Sequence, residues 1–310
     1  MITGIHHVTA IASDPQLNLN FYAGVLGLRL VKKTVNFDDP GTYHLYYGDG
    51  LGRPGTILTF FPYGPGSPGR VGIGQVTETA LGVPKGSLDY WRERLAVRGI
   101  EFTEAGADAL RLADPDGLRL TLEEGEYPGD GSGSGTVPPE FAIRGITGVV
   151  LTVRDVKLTI HLLTEIMGFT PQNENGQVFE AKPGASFARV AVIDLPEELA
   201  ANPRARGLNG VGTVHHVAFR VPNDAAQEEW LAKLQTQGFH VSPVMDRFYF
   251  HSIYYREPGG ILFELATDPP GFAADEPAEK LGEGLKLPEQ YEKFRSELEA
   301  HLPPLKMPQE

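Results

Sequence analysis

Four glycines, spaced almost evenly along 310 residues, constrain this chain more than any other feature. Each closes a stretch with helical apolar spacing and is followed at once by an apolar residue: Gly27-Leu28, Gly99-Ile100, Gly168-Phe169 and Gly238-Phe239. That pairing marks a chain leaving its last helical turn through a left-handed residue, a conformation glycine adopts without steric penalty. The intervals are 72, 69 and 70 residues (99 − 27, 168 − 99 and 238 − 168), too regular for coincidence and too long for a solenoid unit. The sequence reads as one supersecondary module used four times.

Within each module an alternating strand precedes the helix, and several short strands follow. In the first, 5–12 alternates as a strand, Asp14 and Pro15 start a helix, and Leu17, Phe21, Val25 and Leu26 form its apolar face. Later helices are predicted near 87–98, 156–167 and 225–237, and later strands over 43–47, 56–61, 118–122, 188–193, 249–255 and 261–266. One helix per several strands disfavours a doubly wound sheet and predicts an α+β fold of four βαβββ modules. Residues 126–142 have the Gly/Ser/Pro composition of a linker. They divide the chain into an N-terminal domain over 1–125 (modules one and two) and a C-terminal domain over 143–268 (modules three and four). A polar, Pro-rich tail over 269–310 carries one predicted helix over 288–302, with Tyr291, Phe294, Leu298 and Leu302 on one face for docking on the body.

Composition then removes whole classes of function. A net charge of −13 argues against a surface that tracks nucleic-acid phosphates. The Met-Ile-Thr-Gly-Ile-His-His start lacks the basic flank and apolar core of a signal peptide, and no apolar stretch is long enough to span a bilayer. A cytoplasmic protein with no membrane partner is expected. With no cysteine there is no disulfide, no zinc–thiolate site and no thiol nucleophile, so any metal must be held by His and carboxylate.

Two segments answer that requirement, Gly4-Ile5-His6-His7-Val8-Thr9 and Thr213-Val214-His215-His216-Val217-Ala218. Each opens a module with a His-His pair, and Glu264 stands alone in the apolar run Ile261-Leu262-Phe263-Glu264-Leu265-Ala266. Aligning the modules on their helix ends matches His7 and His216 with Gln75 and Gly148, and Glu264 with Phe60 and Thr121. Modules one and four alone supply imidazoles and module four alone the acid, which implies a single metal. Strand alternation places His7 with Thr9, His216 with Ala218 and Arg220, and Glu264 away from the helix-packed side, whereas His6 and His215 fall on the helix side. Two imidazoles and one carboxylate on one face suit a metal with open positions. The competing reading pairs Glu264 with Arg220 or Arg247, because a buried carboxylate without a cation costs several kcal/mol.

The phrase Asn20-Phe21-Tyr22-Ala23-Gly24-Val25-Leu26-Gly27-Leu28 after a His-bearing strand resembles the vicinal oxygen chelate (glyoxalase/bleomycin-resistance/dioxygenase) superfamily. More narrowly, Tyr43-His44-Leu45-Tyr46-Tyr47, Pro84-Lys85-Gly86-Ser87, His215-His216-Val217-Ala218-Phe219 and Pro258-Gly259-Gly260-Ile261-Leu262-Phe263-Glu264 resemble ring-cleaving dioxygenases that open hydroquinones. The resemblance implies four βαβββ modules and one Fe(II) ion on His7, His216 and Glu264, with Mn(II) suited to the same donors. It also implies a substrate pocket lined by His6, Thr9, His215, Arg247 and Tyr254. Phe248 follows Arg247, and His251 stands where the pattern carries an acid, so the pocket wall leaves substrate choice open.

The implied partners are a small dihydroxylated aromatic and O2, with self-association into a homo-oligomer left open. The chemistry asks for a base or hydrogen-bond acceptor near the phenol, which His215 or His6 would provide, and for donors toward developing negative charge, which Arg247 and Tyr254 would provide. Two other functions compete. A glyoxalase-type isomerase or lyase resembles a site with two acids, and Phe60 occupies the place of the second; a metal-free aromatic-binding protein is disfavoured by the buried Glu264. His44, in the family-like strand, is expected near the cleft but given no role, and His161, His240 and His301 are read as helix or surface residues. The Gly-rich 64–74 segment lacks the Gly-Lys-Ser/Thr ending of a phosphate loop and reads as a crossing between modules.

Overall fold

The computed structural model describes residues 1–131, 133, 135–172, 177–180, 189–195 and 197–308. All four glycines that close the helices have positive φ, 72° at Gly27, 69° at Gly99, 78° at Gly168 and 84° at Gly238. After Gly99 and Gly238 the chain turns back with Ile100 N–H donating to the Leu95 carbonyl at 2.9 Å and Phe239 N–H to that of Leu234 at 3.1 Å. These bonds satisfy carbonyls the helix end would otherwise orphan. The first and third helices differ from expectation: Pro15–Leu19 continues as a π-helical stretch over Asn20–Val25, and Val156–His161 does so over Leu162–Ile166. The closing bonds there reach one residue further back, Leu28 to Tyr22 and Phe169 to Leu163, because the wider turn holds an extra residue. Leu88–Val97 and Asp224–Thr236 are ordinary α-helices.

Each helix follows the first strand of its module. Module one contains β1 (Ile5–Ala12), β2 (Arg29–Val35), β3 (Tyr43–Gly48) and β4 (Ile57–Pro62), and module two β5 (Gln75–Pro84), β6 (Phe102–Glu104), β7 (Ala109–Ala113) and β8 (Arg119–Gly125). Module three contains β9 (Gly145–Val153), β10 (Thr170–Pro171), β11 (Val178–Glu180) and β12 (Arg189–Asp194), and module four β13 (Thr213–Val221), β14 (Met245–Asp246), β15 (His251–Arg256) and β16 (Leu262–Thr267). Ala188, where the sequence starts the strand of β12, lies outside the described residues. The α+β fold of four βαβββ modules is as the sequence predicts.

The strands form two eight-stranded sheets, ordered β14-β15-β16-β13-β1-β4-β3-β2 and β10-β11-β12-β9-β5-β8-β7-β6. The first thus joins modules four and one, and the second modules three and two, each through an antiparallel seam, β1 on β13 or β5 on β9. In every module the first and last strands run parallel. Val8, Ala10, Val217, Phe219, Phe263 and Leu265 pack with Phe21, Tyr22 and Leu26 in one apolar core. The opposite side of the same strands is left for polar groups.

Both seams are bulged, and the bulges correct the module alignment. Between Ile5↔Phe219 and His7↔Ala218 the extra residue is His6, and between Thr9↔His216 and Ala10↔Val214 it is His215. On the second seam the extra residues are Thr77 and Thr147. Glu78, not Gln75, therefore corresponds to His7, while Gly148 corresponds to His216. Parallel pairing of Ala218 with Glu264 and of Thr9 with Thr59 makes Thr59, not Phe60, the counterpart of Glu264 in module one. Strand pairing, not the count to the helix end, fixes these positions, because both seams carry equivalent bulge residues.

The tail docks along β2 and β3. Arg29 donates to the carbonyls of Ala278 and Glu279, Lys286 N–H to that of Lys33, and the Tyr43 hydroxyl to that of Pro303. Lys32, fully buried, is held by Asp275 at 2.6 Å and Glu276 at 2.5 Å. The single predicted tail helix is two short ones, Glu289–Glu292 and Arg295–His301, broken at Phe294, which is 42% exposed rather than packed. Leu302 is buried, and Tyr291 and Leu298 pack against the core as expected. Among the described residues no helix is long and apolar enough to cross a membrane.

Candidate metal centre

The seam of the first sheet brings β1, β13 and β16 side by side, and with them His7, His216 and Glu264, all buried. His7 Nε2 lies 3.2 Å from His216 Nε2, and Glu264 Oε2 lies 3.3 and 2.8 Å from those two nitrogens. Donors about 2.1 Å from one ion at right angles sit about 3.0 Å apart, so this spacing fits a single facial site. Glu264 Oε1 accepts the Ser252 hydroxyl at 2.5 Å, whereas Oε2 is buried and accepts no well-formed hydrogen bond. Such an orphaned oxygen calls for a cation. The competing ion pairs do not form: Arg220 is bonded to Asp268, and Arg247 to Tyr254 and Asp38.

Protonation states agree with the same reading. Burial opposes charge on Glu264, but His7 and His216 together outweigh it and hold the carboxyl well below its usual range. Burial lowers the pKa of His216 despite the attraction of Glu264. A neutral imidazole beside an ionised carboxylate is the state a divalent cation binds.

Each ligand imidazole is braced by its neighbour in sequence. His7 Nδ1 is 2.9 Å from His6 Nδ1, and His216 Nδ1 is 2.7 Å from His215 Nδ1. The bulges make this reach available, since an extra residue re-aims side chains that strict alternation would send to opposite faces. An imidazole that binds through Nε2 carries its proton on Nδ1, so His6 and His215 must accept that proton's hydrogen bond and thereby fix tautomer and ring orientation.

Residues 4–122 and 145–265 match the Glyoxalase/Bleomycin resistance protein/Dioxygenase superfamily. The chain belongs to that superfamily. It is 45% identical over 308 residues to the Bacillus subtilis (strain 168) protein named "Putative ring-cleaving dioxygenase MhqO", covering 98% of this chain and 97% of that one. It is 32% identical to the chlorohydroquinone/hydroquinone 1,2-dioxygenase of Sphingobium indicum, over 96% and 95% of the two chains. A Bacillus subtilis dioxygenase-type crystal structure superposes with a TM-score of 0.91 at 43% identity over 99% of each chain. Glyoxalase I of Zea mays, at 14% identity, TM-score 0.59 and 86% and 92% coverage, shares the fold.

In this superfamily member His7 and His216 line a cavity of about 250 Å³, with Glu264 buried against them. Thr9, His215, Arg247 and Tyr254, which the resemblance put in the pocket, line it, whereas His6 lies buried behind His7 with its ring 5.0 Å from that of Phe250. Arg247 Nε donates to the Tyr254 hydroxyl oxygen at 3.1 Å. Burial, reinforced by Glu264, raises the Tyr254 pKa and keeps the phenolic hydrogen in place. Burial also pushes the His215 pKa down to about 3.

His44, expected near the cleft, lies in the cavity wall. Its Nε2 is 2.6 Å from Thr59 Oγ1, its Nδ1 is 2.8 Å from the Tyr46 hydroxyl, and Thr59 meets Thr9 at 3.1 Å. Alternation over 43–47 carried the signal, since it sets His44 and Tyr46 on one face, away from Leu45 and Tyr47 in the core. Asp38 and Phe61 also line the cavity, and no local pattern announced them.

Proposed function

We propose that this protein is a cytoplasmic ring-cleaving dioxygenase that holds one Fe(II) ion on His7, His216 and Glu264 and opens a hydroquinone or a related dihydroxylated aromatic with O2; Mn(II) suits the same donors. The observation that carries the reading is the unbonded, fully buried Glu264 Oε2 facing, at 2.8 and 3.3 Å, the nitrogens of two imidazoles that line a small aromatic cavity. A volume of about 250 Å³ lies just below the usual range for drug-sized ligands, which suits one substituted ring. The hydroquinone assignment follows the name of the Sphingobium relative. Against the isomerase alternative, the module-one counterpart of Glu264 is Thr59, so the register supplies no second acid.

Bound there, iron supplies the redox path between an ionised phenol and O2. The chain's own groups orient and stabilise. Tyr254, its oxygen already accepting from Arg247, offers its hydrogen to an anionic substrate oxygen. His215, accepting from His216 at Nδ1, carries its own proton on Nε2 and acts toward the cavity as a donor; this revises the base role that the sequence suggested for it. Phe61 and Phe250 present apolar faces to the ring and limit water.

The test is anaerobic reconstitution with Fe(II), followed by oxygen uptake and ring-fission absorbance across hydroquinones and catechols. Oxygen consumption with formation of a conjugated ring-opened product is expected. No uptake with any of them would refute the dioxygenase assignment, and turnover of catechols alone would refute the hydroquinone part.

A further inference from the structure

Building on the dioxygenase reading, we infer that Asp38 sets the charge selectivity of the cavity: by occupying Arg247 it admits uncharged phenols and turns out carboxylates, including the one that ring opening creates. Among the described residues lining the cavity, Arg247 is the only arginine or lysine and Asp38 the only carboxylate. Their side chains meet at 3.5 Å, with Arg247 18% exposed and Asp38 71% exposed, so the acid stands at the mouth and the base further in. On its other edge Arg247 is committed to the Tyr254 hydroxyl.

The Asp38 segment is tied in place. Asn36, buried, donates to the Tyr63 hydroxyl at 2.8 Å and accepts the Asp38 N–H at 3.0 Å, while the Tyr291 hydroxyl of the tail holds the Phe37 carbonyl at 2.8 Å. The backbone of Asp38 is thus fixed beside Arg247, and the remaining wall is aromatic, aliphatic, hydroxyl, amide or imidazole. An uncharged phenol meets a cation already countered by an acid. An anion must displace Asp38 from Arg247 and then lie beside its carboxylate, where like charges repel.

The proposed reaction makes that distinction useful. Cleavage beside a hydroxylated ring carbon breaks one C–C bond and takes up both atoms of O2. The hydroxylated carbon becomes a carboxylic acid and its neighbour an aldehyde. Carboxylic acids ionise above about pH 4, so a neutral substrate becomes an anionic product that has released one proton. Asp38 then competes with the product for Arg247.

Calorimetric titration of the Fe(II)-loaded protein under nitrogen compares 4-hydroxybenzoate with its uncharged counterpart 4-hydroxybenzamide. The parent protein should bind the amide about tenfold more tightly than the carboxylate. Asp38→Asn should raise carboxylate affinity about tenfold while changing amide affinity by less than about threefold, and Asp38→Glu should restore the parent's preference. A general loosening of the mouth would move both ligands together. Unchanged carboxylate affinity in Asp38→Asn, with amide binding intact, overturns the Asp38 assignment and leaves the dioxygenase reading standing. Failure of both ligands to bind the parent overturns the Asp38 assignment, while the dioxygenase reading stands or falls on oxygen uptake.

Discussion

The first sheet carries His6-His7 and His215-His216 at its two bulges, and the second carries Thr77-Glu78 and Thr147-Gly148 at the same places. Where the first has Glu264, the second has Ala191. Glu78 accepts the Thr121 hydroxyl at 2.6 Å and pairs with Arg111 at 3.4 Å, so its charge is answered without a metal. A Cβ on Gly148 would lie 2.6 Å from the Arg189 carbonyl oxygen, which leaves no room for an imidazole at the counterpart of His216. Topology and bulges place a candidate site twice, and side chains equip it once.

The largest effect should come from removing a ligand. Glu264→Ala or His216→Ala should leave less than about a tenth of the parent's iron after gel filtration, with the far-ultraviolet spectrum unchanged. Retained iron in either would break the contrast between the sheets. The next effect sits where they meet: in the turn between β7 and β8, Asp114 accepts the Tyr22 hydroxyl at 3.0 Å and is 6% exposed. Burial lifts its pKa to about 6 despite hydrogen bonds from Leu118 and Tyr22. Because the folded value lies above the unfolded one, its contribution to stability is full below about pH 4 and is lost as the pH rises through about 6, by up to roughly 3 kcal/mol. In urea unfolding across pH 4 to 7, Asp114→Asn should lack this component; a pH slope equal to the parent's would show that Asp114 is not strained by burial.

How much of this was legible in sequence depends on distance along the chain. Gly27, Gly99, Gly168 and Gly238 act through their own backbone, so the fourfold module was visible, and all four take the expected left-handed conformation. The grouping of His7, His216 and Glu264 was visible too, because a lone acid in an apolar strand needs a partner and module arithmetic left few candidates. The bulges were not. They arise from pairing between strands 202 to 214 residues apart in sequence, and they turned His6 and His215 from helix-side residues into braces for the ligands. Ser252, 12 residues before Glu264, was hidden as well, since only the β15–β16 pairing brings it to the carboxylate.

Ser252 provides a finer measure of the first sheet. Its hydroxyl occupies Oε1 and leaves Oε2 for the ion, so Ser252→Ala should weaken iron binding about 10- to 100-fold while retaining some metal. Affinity unchanged in a competition assay with a chelator would mean that the carboxylate is aimed by its strand alone.

The smallest effect belongs to the second sheet. Glu78 stands at the counterpart of His7, but its side chain is 22% exposed and that of Arg111 60%, so their ion pair is screened by water. Glu78→Gln should therefore cost less than about 1 kcal/mol in unfolding free energy, since an exposed pair contributes little and an amide can still accept from Thr121. Iron content should not change at all. A loss of bound metal in Glu78→Gln would mean that the second sheet also takes part in the site, and a stability loss of several kcal/mol would mean that its acid is held as tightly as Glu264 is in the first.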